Sequence, residues 1–240
     1  MASSRSERLA AGQVALVGLF VTALVTAQLT ASKLLLFGLP VSLPVTGSAL
    51  VLPGAALAYA VTFFASDCYS ELYGRRPAQV MVNVGFAMNF VMLALVYSTV
   101  QAPIAPFSGV GQGEFSTVLL SSANIVAGSL LAYVVSQNWD VVAFHAIRDR
   151  TDGDHLWLRN IGSTATSQAI DTVIFVTVAF WAAPTLFGVG QANSLEQILT
   201  LVVGQYLLKL AIAVGDTPFV YAVVSAFRSR GLADPAPAAD

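Results

Sequence analysis

Charge is what this chain has least of. Asp, Glu, Lys and Arg make up only 10% of its 240 residues, against about 25% in soluble domains, and a soluble fold could not solvate itself on so little. Its one cysteine, Cys68, excludes an intramolecular disulfide, and one cysteine with two histidines is too few ligands for a structural zinc site. No metal and no cofactor is implied. The net charge of -2, with no Lys/Arg tract and no basic amphipathic stretch, leaves no electrostatic footprint for nucleic acid, which is not expected as a partner. There is no Gly-x-x-x-x-Gly-Lys-Ser/Thr loop, so any ATPase would have to be a separate chain. A serine or metal hydrolase needs a positioned histidine or a ligand cluster, but His145 and His155 fall at or beyond a helix end. Two membrane aspartates could instead suggest an aspartyl protease, in which two carboxylates share a proton, but the glutamines attached to them argue against it, and enzyme chemistry is not expected.

What is present is apolar and comes in long runs. Hydrophobic residues make up 56% of the chain, and a spanning helix needs about 20 of them in succession at about 1.5 Å rise each. Six segments qualify: Leu9 to Leu36, Leu50 to Tyr73, Ala78 to Val100, Phe115 to Ile147, Leu156 to Phe187 and Leu195 to Phe227. The breaks between them carry turn residues, among them Gly38, Pro40, Pro44, Gly47, Gly74, Pro77, Pro103, Pro106, Gly109, Gly153, Gly188 and Gly190. Arg5 and Arg8 precede the first run, as in a signal peptide, but that run is longer than a signal h-region of about 7 to 15 residues and is expected to be retained. Ser194 and Gln197 predict a capping box at the start of the sixth span. The reading is an all-α polytopic membrane protein: one six-helix transmembrane domain over residues 1–230, then a tail over 231–240 that is rich in Ala, Pro and Asp and expected to be disordered.

Orientation follows from the arginines, because Lys and Arg flanking spans are retained on the cytoplasmic side. A cytoplasmic N-terminus puts Arg5, Arg8, Arg75, Arg76, Arg148, Arg150, Arg159, Arg228 and Arg230 on that side, while the loops around Pro106 and Gly190 hold no Lys or Arg. Lys33 is then the one basic residue near the outer face. Six crossings and two cytoplasmic termini satisfy every arginine, and an odd number would not.

An ionisable residue at the centre of a spanning helix costs about 2.5 to 3.5 kcal/mol on insertion scales, so such residues face protein or a wet cavity. Here they are concentrated in the later spans: Asp140, Asp171, Lys209 and Asp216, with the amides Asn124, Gln137, Asn138, Gln168 and Gln205. Ser136-Gln137-x-x-Asp140 is repeated as Ser167-Gln168-x-x-Asp171, and a spacing of three puts amide and carboxylate on one helical face. Both carboxylates lie at similar depth in the inner half, so the two motifs are expected to face each other or a shared cavity. An interhelical hydrogen-bond clamp is the plainer use of the same residues. Lys209 either neutralises one of these aspartates or meets an acceptor on a solute. Asp216, ahead of Thr217-Pro218, marks a gate or a bend. Asp67 lies deeper than Glu71, for which an i, i+4 pair with Arg75 is the default.

These residues also carry a family resemblance. Ser32-Lys33 with Phe37-Gly38, Pro53-Gly54, the run Ser66-Asp67-Cys68-Tyr69-Ser70-Glu71-Leu72-Tyr73-Gly74, Ser136-Gln137 with Asp140, and Trp157-Leu158-Arg159-Asn160 through Ser163-Thr164 to Ser167-Gln168 with Asp171 resemble the queuosine-precursor transporter family, also called the vitamin uptake transporter family. The resemblance runs from about Gln28 to Phe227, with Ile161 standing where a polar residue is expected. It implies a multi-pass importer in the cytoplasmic (inner) membrane for 7-deazapurine bases such as 7-cyano-7-deazaguanine. The alternative, with no ATPase loop in this chain, is a substrate-binding subunit of an ATPase-driven uptake complex. A guanine-like edge offers N–H donors to carboxylates and a carbonyl to an amide or ammonium. The candidate substrate-binding set is Gln137, Asp140, Gln168, Asp171, Lys209, Asn124, Trp139 and Asp67, with Trp139 and Tyr206 as possible stacking platforms. The partners are then the solute and the lipid bilayer, and a homodimer is compatible with the sequence.

Overall fold

The computed structural model describes the backbone of residues 2–151 and 156–232, and their side chains apart from 2–8, 148 and 156–160. His155, the Trp157 to Asn160 side chains and residues 233–240 of the predicted tail lie outside the described residues. The elements are α1 (Ala2–Thr30), β1 (Leu34–Leu43), β2 (Gly47–Pro53), α2 (Ala56–Tyr73), α3 (Arg75–Gln101), α4 (Gln112–Arg150), α5 (Leu156–Thr177), a π-helical segment (Val178–Ala182), α6 (Ala183–Phe187), α7 (Leu195–Gly215) and α8 (Thr217–Ser229).

Among the described residues, five helical stretches are long and apolar enough to cross a membrane: Leu9–Thr30, Arg75–Gln101, Gln112–Ile147, Ile161–Phe187 and Leu195–Gly215. No more than 39% of any of these apolar windows is buried within the protein, so most of their apolar surface needs a hydrocarbon neighbour to be stable.

Three sequence expectations are corrected. The first helix stops at Thr30 and not at Leu36, because Leu34 onward turns into a hairpin: β1 and β2 pair antiparallel from Leu34 opposite Pro53 to Gly38 opposite Ala49, with a register shift before Leu43 meets Gly47. The fold is therefore mostly helical but not all-α. Its turn puts Val45 at φ 74° and Gly47 at φ 63°, left-handed conformations that glycine adopts without strain and valine rarely does. The second predicted span shortens to the 18 residues of α2, because its first residues, Leu50 to Pro53, belong to β2; with Asp67 and Glu71 in its last two turns it is not among the five. The sixth divides at Asp216, since Pro218 has no N–H to continue the ladder.

The chain forms two compact units. One comprises Met1–Ala31, Gly54–Val96 and Leu208–Asp240; the other comprises Ser32–Pro53 and Tyr97–Leu207. In the first, Leu16, Phe20 and Leu24 of α1, Ala65, Cys68, Tyr69 and Leu72 of α2, Ala78 and Met81 of α3, and Val224 of α8 make one apolar core. Gly85 is required there, because a Cβ would strike the Phe20 ring. Gly74, at φ 92°, lets α2 give way to α3 within one residue. Of the predicted tail, Gly231 and Leu232 are described, and the Leu232 carbonyl accepts from Tyr73 Oη at 2.9 Å. Glu71 pairs at 3.2 Å with Arg228 of α8, where the sequence suggests Arg75.

In the second unit α4 and α5 pack along a stripe of small residues at every fourth position: Gly128, Ala132 and Ser136 on α4, Ser163 and Ser167 on α5. The last four of these are buried, and a Cβ on Gly128 would collide with Ala179 and the Phe175 carbonyl. Small side chains let helices approach closely where no hydrophobic effect drives them together. Past α5, Pro184 cannot donate to the Phe180 carbonyl, and the helix widens into its π turn just before it. That carbonyl instead accepts the Asn193 N–H at 2.9 Å. The hairpin comes against α7 at Gly204, whose missing Cβ leaves room for the Val51 carbonyl. The predicted capping box is formed at the α7 start: Gln197 Oε1 accepts from the Ser194 N–H at 2.8 Å and Ser194 Oγ from the Gln197 N–H at 3.3 Å.

Candidate functional site: the crossed motifs of α4 and α5

The repeated Ser-Gln-x-x-Asp motifs meet across the small-residue stripe, which extends on α4 from Ser136 to Asp140 and on α5 from Ser167 to Asp171. Ser136 Oγ donates to Asp171 Oδ1 at 3.3 Å, sharing its proton with the Tyr133 carbonyl at 3.3 Å, and Ser167 Oγ donates to Asp140 Oδ1 at 3.3 Å, sharing its proton with the Thr164 carbonyl at 3.0 Å. As the number rises on one helix it falls on the other, so α4 and α5 run antiparallel and the two motifs are related by a local two-fold exchange. Each carboxylate is thereby oriented by a buried hydroxyl of the opposite helix. Sequence matching gives Gln and Asp the greater weight, yet the contacts between the motifs are made by serine. The signal was there, since Ser and Asp four apart also share a face.

The other candidates are less alike than the repeat suggests. Gln168 Oε1 is buried with no hydrogen-bond partner among the described residues, whereas Gln137 is exposed. Trp139 Nε1 donates to Thr166 Oγ1 at 3.1 Å, which gives its indole a use in joining the helices while 44% of the residue stays exposed. Tyr206 Oη donates to the Ala165 carbonyl at 3.4 Å. Asn124 is buried and donates from Nδ2 to the Val189 carbonyl at 2.7 Å, tying down the loop after α6, while its Oδ1 has no partner among the described residues.

Lys209 and Asp67 belong to the first unit. Lys209 is 5% exposed, with Nζ 5.6 Å from the centroid of the Tyr59 ring, close enough for cation–π attraction. The Asp67 carboxyl lies beside that of Asp216, at the break between α7 and α8. Beside that break lies an open groove of about 410 Å³ lined by Ala60, Val61, Phe64, Ile212, Gly215, Asp216 and Phe219.

The buried amide of Asn89 escapes sequence reading. Asn89 of α3 is 0% exposed, and neither Oδ1 nor Nδ2 has a hydrogen-bond partner among the described residues. A buried polar group left unpaired costs about 1 to 3 kcal/mol. A single Asn inside an apolar run makes no motif, and only burial exposes it.

Long apolar helices largely uncovered by protein, with carboxylates and amides held between them, define a multi-pass membrane protein built to present polar groups inside the bilayer. Residues 53–223 match the model of the family described as "Putative vitamin uptake transporter", and the chain belongs to that family. It is similar to the "Probable queuosine precursor transporter" of Bacillus subtilis (strain 168), 36% identical over 165 residues covering 68% of each chain. It is also similar to the "Queuosine precursor transporter" of Escherichia coli (strain K12), 25% identical over 194 residues covering 81% of this chain and 82% of the relative. No solved structure matches it. The chain is a membrane transporter and not an enzyme.

Proposed function

We propose that this transporter imports queuosine precursors, 7-deazapurine bases such as 7-cyano-7-deazaguanine, across the cytoplasmic membrane. The observation that carries the reading is the 36% identity, over 68% of each chain, to a relative whose name specifies that cargo. The chemistry of α4 and α5 supports it. Asp140 and Asp171, oriented by Ser167 and Ser136, suit the ring N–H and amino donors of a guanine-like edge, and Gln168, with its Oε1 unpartnered, can turn an acceptor and a donor toward the same plane. Gln137 and Asn124 complete the polar set on α4, and Trp139 offers a partly open ring for stacking. Lys209 and Asp67, which belong to the first unit, are proposed as separate solute contacts there.

In this reading α2 makes a sixth, shorter crossing and both termini face the cytoplasm, which keeps Arg75, Arg76, Arg228 and Arg230 on the side where basic residues are retained. A reporter fused after Ser229 is expected to be active in the cytoplasm, and activity outside the membrane would invert the topology.

The deciding experiment is uptake of labelled 7-cyano-7-deazaguanine and its aminomethyl analogue into cells unable to make either, with and without this chain. Chain-dependent accumulation is expected; its absence for both compounds would overturn the assignment. Uptake by the purified chain in liposomes separates a self-sufficient carrier from a subunit that needs an ATPase partner.

A further inference from the structure

The apolar core of the first unit ends in a polar layer. On α3, Gly85 sits against Phe20 and Leu24 of α1, and one turn further along each helix come Asn89 and Gln28, both buried. The strand hairpin reverses the chain between α1 and α2, and Gly74 reverses it again before α3. The α2 residues beyond Ala65 at this end are therefore Thr62, buried, and Tyr59, over whose ring the buried Lys209 lies. Gln28, Thr62, Asn89 and, beside Tyr59, Lys209 thus lie toward one end of this apolar core. Thr62 is accounted for, since its hydroxyl donates to the Tyr59 carbonyl at 2.6 Å. Asn89 is not: its amide is wholly enclosed with both atoms unpartnered among the described residues.

A side-chain amide holds a carbonyl acceptor and an NH2 donor side by side in one plane. The group that satisfies both at once is the edge of a planar heterocycle with a hydrogen-bond donor and acceptor side by side, as in two-pronged recognition of base edges by Asn and Gln. We propose that Asn89 is a solute-recognition residue, pairing through Oδ1 and Nδ2 with the adjacent donor and acceptor of the transported heterocycle, and that Lys209, held over Tyr59 in the same unit, donates to a further acceptor on it. The proposal rests on the transport reading above and adds a recognition point in the first unit that the repeated motifs of α4 and α5 do not include.

The test exploits the opposite effects that the two roles of Asn89 have on stability and transport. Replacing an unpartnered buried amide with an apolar group of similar size removes a desolvated polar group, so Asn89→Leu in the full-length protein should be inserted normally with an unchanged or raised thermal midpoint. Uptake of labelled 7-cyano-7-deazaguanine should nevertheless fall by about tenfold or more, because a site built to hydrogen-bond its ligand loses that discrimination with the donor–acceptor pair. Asn89→Ala, smaller and free of any overpacking, should lose uptake to the same extent, and thermal stabilisation of the purified protein by the same compound should vanish in both variants. Wild-type import with undiminished import by either variant overturns this proposal alone, and means that Asn89 serves only the packing or a trapped water. A wild-type chain that neither imports the compound nor is stabilised by it overturns the functional reading and this proposal together.

Discussion

Ser136 on α4 donates its hydroxyl to Asp171 on α5 at 3.3 Å, and the equivalent serine of the second motif, Ser167, returns the contact to Asp140 at the same distance. Because the hydroxyls serve as orienting groups, their loss should be felt more in transport than in stability. Ser136→Ala should lower stability by about 0.6 kcal/mol, the average for interhelical hydrogen bonds in membranes, and Ser167→Ala should do the same. Thermal unfolding in detergent beside an uptake assay checks both; a loss well above about 2 kcal/mol would make the pair a structural clamp first.

Removing the carboxylate or amide itself is expected to be severe. Asp171→Ala and Gln168→Ala, at normal membrane abundance, should reduce precursor uptake to background. Normal import by either variant would remove that residue from the proposed site.

The approach of the hairpin to α7 depends on Gly204, whose Cβ position is taken by the Val51 carbonyl. Gly204→Val should displace β2 and destabilise the protein by about 1 to 3 kcal/mol, the usual cost of overpacking. Gly113, where an added Cβ meets nothing, provides the control: Gly113→Ala should be tolerated. Equal thermal midpoints for the two variants would mean that the hairpin yields freely.

Glu71 and Arg228 form an exposed pair, 54% and 40% open at the side chain. Glu71→Gln should therefore cost less than about 1 kcal/mol and lose most of its effect at high salt. A large, salt-insensitive loss would assign Glu71 a role beyond joining α2 to α8.

The helical stretches were legible because hydropathy over about 20 residues is a strong signal, and the capping box of Ser194 and Gln197 was legible because it is local. The hairpin was not. Leu34 to Pro53 is as apolar as the helices on either side, and Gly38, Pro40, Pro44 and Gly47 read equally well as a loop between two spans. The alternation in Val41-Ser42-Leu43 and the β-branched Val51 were the available clues. The paired motifs were visible as a repeat, but the partner each aspartate takes depends on how two helices cross, which no spacing within one helix specifies. Asn89 lay beyond reach for a related reason: its weight comes from enclosure, a property of the folded chain and not of its neighbours in sequence.

The proline that opens α6 acts at a distance through the oxygen it leaves behind. By failing to bond Phe180, Pro184 reserves that oxygen for the amide of Asn193, and so the stretch with two glycines between them is pinned at its far end instead of swinging from one. The same vacancy that widens the helix thereby fixes where the next one begins, and the entry of α7 is positioned by a ring nine residues before Asn193.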